Sequence, residues 1–369
     1  MTEFDALALA VAGVQGIKPY QPGKPINEVE REYGVRNPIK LASNENPRGA
    51  SPAARDVLQN ATIDFGRYPD GNAHALKVKL ASRLNVGIEQ ITMGNGSNDV
   101  LELAARVFAG PGDEIVFSAH AFAVYGLVTR AVGADRVVVD ARQWGHDLDA
   151  MANAVTDRTR VVFIANPNNP TGTWSDRQAL HQFLSVMPTT TVVVVDEAYC
   201  EYVGDSTYPD CVQWLDDFPN LIVTRTFSKV HGLAALRVGY GISSSVVADL
   251  LNRVRQPFNV NSVAQCAAMV ALDDTGFVAA SVAENHYERQ RLYEELSRQG
   301  LDYITSGGNF VSVDVKRPAV EVYENMLRRG VIVRPVGEYG MPNHLRVTIG
   351  VGDENSVMLN VLSQCLQGA

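Results

Sequence analysis

Lys229 is the residue in this sequence whose neighbours most clearly predict covalent chemistry. It lies within Arg225–Tyr240, between an apolar run that predicts a buried strand and a Gly/Ala/Leu-rich run too apolar for a solvated surface. A partly desolvated lysine loses its proton readily and becomes a nucleophile able to form a Schiff base. Thr226, Ser228 and Arg237 offer donors suited to a phosphate. The segment predicts an amine nucleophile beside a phosphate site, although a lone lysine at a strand end is usually a surface residue.

Two more polar groups follow continuous apolar runs. The run 160–165 leads into N-P-N-N-P-T-G at 166–172, and the run 191–195 ends at Asp196. Such runs are typical of parallel strands covered on both faces, and ligands bind at the carboxyl ends of these strands. An unpaired carboxylate is costly there, so Asp196 needs a cationic partner. The alternative for Asp196 is a helix N-cap.

The block 91–108 predicts a strand, a glycine turn and a helix that begins near Ser97 and Asn98. Free N–H groups and the positive end of the dipole at a helix N-terminus suit a phosphate. The G-x-G at Gly94 and Gly96 lacks the third glycine of a dinucleotide fingerprint, so a nucleotide site is the weaker alternative. Taken alone, this block would be an ordinary capped helix.

Three motifs together resemble one enzyme family. They are S-K-x-x-G-L-A-x-x-R-x-G from Ser228, N-P-x-N-P-T-G from Asn166 and D-x-A-Y from Asp196. These are similar to the signatures of fold-type I aminotransferases that use pyridoxal 5′-phosphate (PLP). The resemblance implies that Lys229 holds PLP covalently and moves a proton between the substrate α-carbon and C4′ of the cofactor. It also implies that Asp196 keeps the pyridine nitrogen protonated, which lets the ring accept electrons.

The same resemblance implies the remaining cofactor contacts. Asn169 and Tyr199 would reach the phenolic oxygen, and Phe122 would stack on the ring, with core packing as an equally weighted alternative for Phe122. The phosphate would be bound by a larger set of donors, namely Ser97, Asn98, Thr226, Ser228, Arg237 and, from the partner subunit of a homodimer, Tyr68. Without the resemblance, Tyr68 would be interpreted as a surface turn residue.

Blocks near both ends of the chain resemble the branch of this family that acts on histidinol phosphate. They include P-Y-x-P-G at 19–23, L-A-S-N-E-N-P at 41–47 and L-R-V-T-I-G at 345–350. The implied reaction is transamination between histidinol phosphate, as the amine donor, and 2-oxoglutarate. The implied substrate contacts are Tyr20, Asn44, Arg334 and Arg346. An aromatic amino-acid aminotransferase is the first alternative, and a non-catalytic PLP-binding regulator is a remote one.

The order of elements predicts an α/β fold. Strands alternate with helices up to about residue 245, which predicts a large domain with a mainly parallel sheet covered by helices. The later helices and strands predict a smaller α+β domain, and the resemblance implies the aspartate-aminotransferase-like fold type I. We expect residues 1–40 to form an arm and part of the small domain, residues 41–260 the large PLP-binding domain, and residues 261–369 the small C-terminal domain.

Composition limits the classes of partner. The 369 residues carry a formal charge of −9, which disfavours nucleic acid because that partner requires clustered basic residues. No apolar run approaches the ~20 residues of a membrane span. The four cysteines show neither C-x-x-C nor metal-ligand spacing. We therefore expect a cytoplasmic enzyme that binds no metal, membrane or nucleic acid.

Overall fold

The computed structural model describes residues 4–19, 23–60, 62–64 and 66–367. The helices in these ranges are α1 Ala6–Leu9, α2 Ala12–Gln15, α3 Ile26–Tyr33, α4 Pro52–Asn60, α5 His74–Leu84, α6 Ser97–Phe108, α7 Ala123–Ala131, α8 Leu148–Asn153, α9 Arg177–Val186, α10 Ser245–Val254, α11 Ser262–Asp273, α12 Thr275–Arg298, α13 Ala319–Leu327 and α14 Gly352–Gln367. The strands are β1 Ile39–Lys40, β2 Ile91–Gly94, β3 Glu114–Ser118, β4 Asp135–Val139, β5 Thr159–Ala165, β6 Val192–Asp196, β7 Leu221–Thr226, β8 Gly239–Ser243, β9 Asp302–Ile304, β10 Phe310–Asp314, β11 Val331–Ile332, β12 Arg334–Pro335 and β13 His344–Thr348.

The large sheet has seven strands in the order β2-β8-β7-β6-β5-β3-β4. Neighbouring strands are parallel except at β8, which runs antiparallel to both β2 and β7. Alternate residues of β5 enter different apolar clusters: Val162 and Ile164 pack with Leu180 of α9, whereas Val161 and Phe163 pack with Leu103 of α6. Helices therefore cover both faces, which confirms the prediction of a mainly parallel, buried sheet.

Three neighbouring strands place polar segments at one edge of this sheet. Ala165, the last residue of β5, is paired in register with Asp196 at the end of β6, and Asp196 is paired with Thr224 near the end of β7. Lys229 follows three residues after the end of β7. Because parallel strands end on the same side, the loop after β5, the carboxylate of β6 and the lysine after β7 converge.

A second sheet is antiparallel, in the order β12-β13-β10-β9, and β1 pairs separately with β11 in parallel. The β1–β11 pairing joins the start of the chain to its C-terminal third. Within the second sheet, Arg334 of β12 lies directly opposite Arg346 of β13. Two of the predicted substrate-binding residues are therefore cross-strand neighbours.

The packing of α11 bears on the predicted domain boundary at 260/261. Ala264 and Ala268 of α11 belong to the apolar core of the large sheet. Leu292 and Leu296 of α12 belong instead to the core of the second sheet. A boundary at 260/261 would separate α11 from the core in which it packs, so we propose that the division follows α11.

The described residues were also searched for membrane-spanning helices and metal sites. No single helix is long and apolar enough to cross a membrane, while α11 and α12 satisfy that test only as a pair bent by 77°. No group of three or more His, Cys, Asp or Glu side chains in the described ranges is arranged to hold a metal ion.

Candidate active site

One cavity of about 290 Å³ lies at the edge where β5, β6 and β7 end. The structure brings thirteen of the predicted site residues to its lining: Asn44, Ser97, Asn98, Phe122, Asn169, Asp196, Tyr199, Thr226, Ser228, Lys229, Arg237, Arg334 and Arg346. Two predicted residues are not among them. Tyr68 lies on the surface with 81% of its area exposed, and Tyr20 is outside the described residues.

Lys229 projects its amine into this cavity. Its Nζ donates to the carbonyl oxygen of Ser43 at 3.2 Å and lies 5.3 Å from the centroid of the Tyr199 ring. Burial lowers the pKa of Lys229 to about 7, and the positive charges of Arg346 and Arg237 act in the same direction. At pH 8 most of these amines are neutral and therefore nucleophilic, as covalent chemistry with an aldehyde requires.

Asp196 is buried at the end of β6 and accepts two side-chain hydrogen bonds. Tyr125 Oη donates to Oδ2 at 3.1 Å, and Thr224 Oγ1 donates to Oδ1 at 3.0 Å. Desolvation raises the pKa of Asp196 to about 6, even though both hydrogen bonds favour the charged form. This carboxylate is costly to ionise in the free cavity, so a bound cation would match it well.

A hydrogen-bonded group of amide and hydroxyl side chains lies beside the lysine. Asn44 Nδ2 donates to Tyr199 Oη at 3.0 Å, and Arg346 Nη1 donates to Asn169 Oδ1 at 2.5 Å. Asn44 was predicted to bind substrate, but in this structure its amide is directed at Tyr199. A substrate contact for Asn44 stays a prediction.

The far end of the cavity is built to receive a phosphate. Gly96 precedes α6 with a φ of +82°, a backbone conformation that favours glycine, and an added Cβ there would lie 2.4 Å from Arg237 Nη2 and would displace the guanidinium. Arg237 Nη1 donates to Ser228 Oγ at 3.3 Å. Gly239 has no room for a side chain, because an added Cβ would lie 2.4 Å from the backbone N of Ser97. A helix N-terminus, two hydroxyl side chains and an arginine thus share one concave surface.

Two arginines close the side of the cavity formed by the second sheet. Arg346 is buried and also donates from Nη2 to the carbonyl oxygen of Ala42 at 2.6 Å. Its buried Nε has no partner among the described residues. Arg334 forms an ion pair with Glu338. Arg346, with its unused buried Nε, is suited to bind a ligand carboxylate or phosphate.

The structure also reveals contacts that the sequence did not indicate. Tyr125 and Thr224 donate to Asp196, and neither belongs to the motifs that drew attention to the site. Ser43 lies in the L-A-S-N-E-N-P block, but that motif did not indicate that its carbonyl oxygen accepts from Lys229. Thr224 could have been identified only from its register opposite Asp196, and that register is known only once the sheet is described. His231 packs on Phe227 and is not among the residues that line the cavity.

The chemistry of the donors matches PLP. A phosphate fits the cradle bounded by Gly96 and Gly239, where side chains would fill the space. A basic ring nitrogen would supply the cation that the buried Asp196 requires, and the amine of Lys229 can react with the aldehyde. Phe122 lines the cavity and also packs edge-on against Tyr125, so stacking and packing both remain open to it.

Comparisons with known proteins agree with this geometry. The family model of aminotransferase class I and II matches residues 36–360. Histidinol-phosphate aminotransferase 2 of Pseudomonas fluorescens is 55% identical over 367 residues, which cover 99% of each chain. Histidinol-phosphate aminotransferase 1 of Nitrosococcus oceani is 53% identical over 367 residues, covering 100% of this chain and 99% of the relative.

Solved structures give the same result. The crystal structure of histidinol-phosphate aminotransferase from Sinorhizobium meliloti in complex with pyridoxal-5′-phosphate has a TM-score of 0.90 at 26% identity and covers 100% of this chain and 99% of that one. An aspartate aminotransferase mutant of Thermus thermophilus, at 20% identity, has a TM-score of 0.83 over 96% and 99% of the two chains, which supports the fold alone. This chain therefore belongs to the class I and II aminotransferases and, like them, has the fold-type I architecture built to use PLP.

Proposed function

We propose that this protein transfers the amino group of histidinol phosphate to 2-oxoglutarate, giving imidazole acetol phosphate and glutamate in histidine biosynthesis. The observation that carries the proposal is one cavity with an anion-binding cradle on either side of a nucleophilic lysine. Arg237 and the start of α6 form one cradle, and Arg334 and Arg346 form the other. Relatives more than 50% identical over nearly the whole chain carry the name of this activity.

The chain's own residues supply positioning and proton transfer. When bound, PLP supplies an electron sink that stabilises negative charge at the substrate α-carbon. Lys229, with its pKa lowered to about 7, accepts a proton from that carbon and returns it at C4′. Asp196, fixed by Tyr125 and Thr224, holds a proton on the ring nitrogen.

The two arginines accommodate two kinds of anion. In amino acids and 2-oxoglutarate a carboxylate is bonded to the reacting carbon, whereas the phosphate of histidinol phosphate lies one CH₂–O unit farther away. Arg346 is close enough to Lys229 to lower the pKa of that amine, so it suits the nearer carboxylate. Arg334, its cross-strand neighbour, then suits the farther phosphate. Tyr20 would add a hydroxyl to the phosphate, a contact outside the described residues.

A steady-state panel tests this proposal against the aromatic amino-acid alternative. Histidinol phosphate, phenylalanine and tyrosine are compared as amine donors, each with 2-oxoglutarate. We expect the highest kcat/KM with histidinol phosphate, and a preference for phenylalanine would favour the alternative. Absence of turnover with every donor, despite a cofactor absorbance band, would favour the non-catalytic regulator.

An arginine variant sharpens the same test. Arg334→Gln should lower kcat/KM for histidinol phosphate by about tenfold or more, the effect of one charged hydrogen bond, and should affect phenylalanine much less. Arg253→Gln is the matched control, because Arg253 lies on the exposed face of α10 far from the cavity lining. Equal losses for both donors in Arg334→Gln would assign Arg334 to the carboxylate instead.

We also propose a homodimer with shared active sites, acting in the cytoplasm. Tyr68 stacks on Phe258 with ring centroids 4.6 Å apart while staying largely exposed, which suits a residue that serves a neighbouring chain. Phe4, Leu7 and Leu9 are also exposed apolar residues that a second copy could cover. Sedimentation across a concentration series tests the dimer, and cell fractionation tests the compartment.

A further inference from the structure

We propose that Thr348 is a positioning residue that sets the direction of the hydrogen bonds through Asn44, so that the hydroxyl proton of Tyr199 is donated into the cavity. This inference rests on the proposed use of PLP. Thr348 lies at the end of β13 in the second sheet and does not line the cavity itself. It would therefore act on the reaction only through its neighbours.

The chain of contacts is continuous and buried. The backbone N of Asn44 donates to Thr348 Oγ1 at 2.9 Å, and Thr348 Oγ1 donates to Asn44 Oδ1 at 3.2 Å. Asn44 Nδ2 then donates to Tyr199 Oη at 3.0 Å. All three side chains are at most 4% exposed, and hydrogen bonds in such a buried setting are stronger than those in water.

The proton count determines the orientation of the Asn44 amide. The Thr348 oxygen already accepts from the Asn44 backbone, and its own proton needs an acceptor, which Asn44 Oδ1 supplies. If the amide were reversed, Nδ2 would face Thr348, and the threonine proton would lose its acceptor among the described residues. Leaving that buried donor unpaired is unfavourable. Thr348 therefore directs Oδ1 toward itself and Nδ2 toward Tyr199.

The backbone of Asn44 is held just as firmly. Its φ is +54°, in the left-handed region that asparagine tolerates better than most residues. Its carbonyl oxygen accepts from Asn309 Nδ2 at 3.0 Å, and the backbone N of Thr348 donates to the carbonyl of Leu41 at 2.9 Å. These bonds fix the backbone position from which the Asn44 side chain reaches both Thr348 and Tyr199.

The consequence for Tyr199 is that its oxygen is already an acceptor, so its own proton is available to another group. Burial raises the pKa of Tyr199, which keeps that proton in place. The centroid of the Tyr199 ring is 5.3 Å from Lys229 Nζ, so PLP held by that lysine would bring the atoms beside its aldehyde close to Tyr199. In PLP the phenolic oxygen is ortho to the aldehyde. The Tyr199 proton would thus be directed to an oxygen whose negative charge it stabilises.

A pH titration of the visible absorbance of the bound cofactor tests this. Thr348→Val keeps the shape of the side chain but removes the hydroxyl. The Asn44 amide can then reverse, so that its Oδ1 faces Tyr199 and accepts the Tyr199 proton in place of the cofactor. We expect the pH midpoint of the absorbance change to rise by about one unit, as when an anionic oxygen loses a hydrogen bond. Thr348→Ser keeps the hydroxyl and should restore the wild-type midpoint. If Thr348→Val does not fold, Thr348→Ala makes the same test.

Tyr199→Phe completes a double-mutant cycle. If Thr348 acts through the Tyr199 hydroxyl, Thr348→Val will cause no further shift in the Tyr199→Phe background. A shift that persists there, or an unchanged midpoint in Thr348→Val alone, would overturn the inference while leaving the proposed function intact. Absence of any cofactor absorbance in the wild-type protein would instead overturn the proposed function, and this inference with it.

Discussion

Asp196→Asn should have opposite effects on the stability of the cofactor-free protein and on its activity. The carboxylate is buried, and desolvation raises its pKa from 3.8 to about 6. A carboxyl group whose pKa is raised on folding stabilises the folded state below pH 3.8, and that contribution is lost as pH rises through about 6. Above pH 6 the cofactor-free protein therefore carries a buried, ionised carboxylate that the unfolded chain would expose to water.

The magnitude follows from the two pKa values. A difference of about two pH units corresponds to about 3 kcal/mol at pH 8, and to roughly half of that at pH 5. The amide avoids this cost and keeps its contacts, because the hydroxyls of Tyr125 and Thr224 can each either donate or accept. For a chain of this length, about 3 kcal/mol corresponds to a rise of about 4 °C in Tm.

The assay is thermal unfolding of cofactor-free wild type and Asp196→Asn at pH 5 and pH 8, at equal protein concentration. The variant should be more stable at both values, with the larger gain at pH 8. Asp140→Asn, at an exposed position, is the control and should change stability by no more than about 0.5 kcal/mol. A variant that is destabilised at pH 8, or equally affected at the two pH values, would refute the account of Asp196 as a desolvated carboxylate.

The PLP-bound Asp196→Asn protein should lose about three orders of magnitude in kcat. The substitution removes the attraction between the carboxylate and the protonated ring nitrogen, which is about 4 kcal/mol for unit charges 4 Å apart at an effective dielectric constant of about 20.

Three further outcomes are expected. Lys229→Ala should abolish turnover and the visible absorbance of the bound cofactor, because the Lys229 amine lies in the cavity with a pKa lowered to about 7. Retained turnover would show that Lys229 is not the catalytic lysine. Arg346→Lys should lower kcat/KM for 2-oxoglutarate roughly ten- to a hundredfold, because a lysine ammonium cannot replace the two-pronged guanidinium that also donates to Asn169. A steady-state kcat/KM for 2-oxoglutarate equal to that of the wild type would contradict this. Tyr68→Phe should weaken PLP retention, and mixing that variant with Lys229→Ala should recover activity as subunits exchange, whereas no recovery under exchanging conditions would argue against a shared site.

Local sequence was sufficient for the residues that sit in dense motifs. Asp196 ends an apolar run, and Asn169 and Lys229 closely follow two others. The parallel sheet that those runs predict brings the carboxyl ends of the three strands together. The structure accordingly gathers these residues at one cavity. Their chemical roles stay predictions until the substitutions above are made.

What sequence could not predict depends on contacts between distant parts of the chain. Thr348 is 304 residues from Asn44, and no local pattern marks either as the other's partner. Asn44 was predicted to bind substrate because its motif resembles a segment that lies close to the substrate in this family, and that contact stays a prediction. The hydrogen bond from its amide to Tyr199 was not predictable from the motif. The boundary at 260/261 stays a prediction, and our proposal of a later boundary depends on the same kind of contact: α11 is a short alanine-rich helix, and composition does not reveal which of two cores it enters.

The direct opposition of Arg334 and Arg346 on neighbouring strands has a consequence for the small sheet. Like charges at such positions repel, and in this sheet Glu338 offsets part of that repulsion through its ion pair with Arg334. If the proposed function is correct, an anionic substrate bound by both guanidiniums would act as a second counter-ion and reduce the repulsion further. Occupancy of the site would then be coupled to the cohesion of the edge strand β12, and each release of product would leave that edge of the sheet more loosely held.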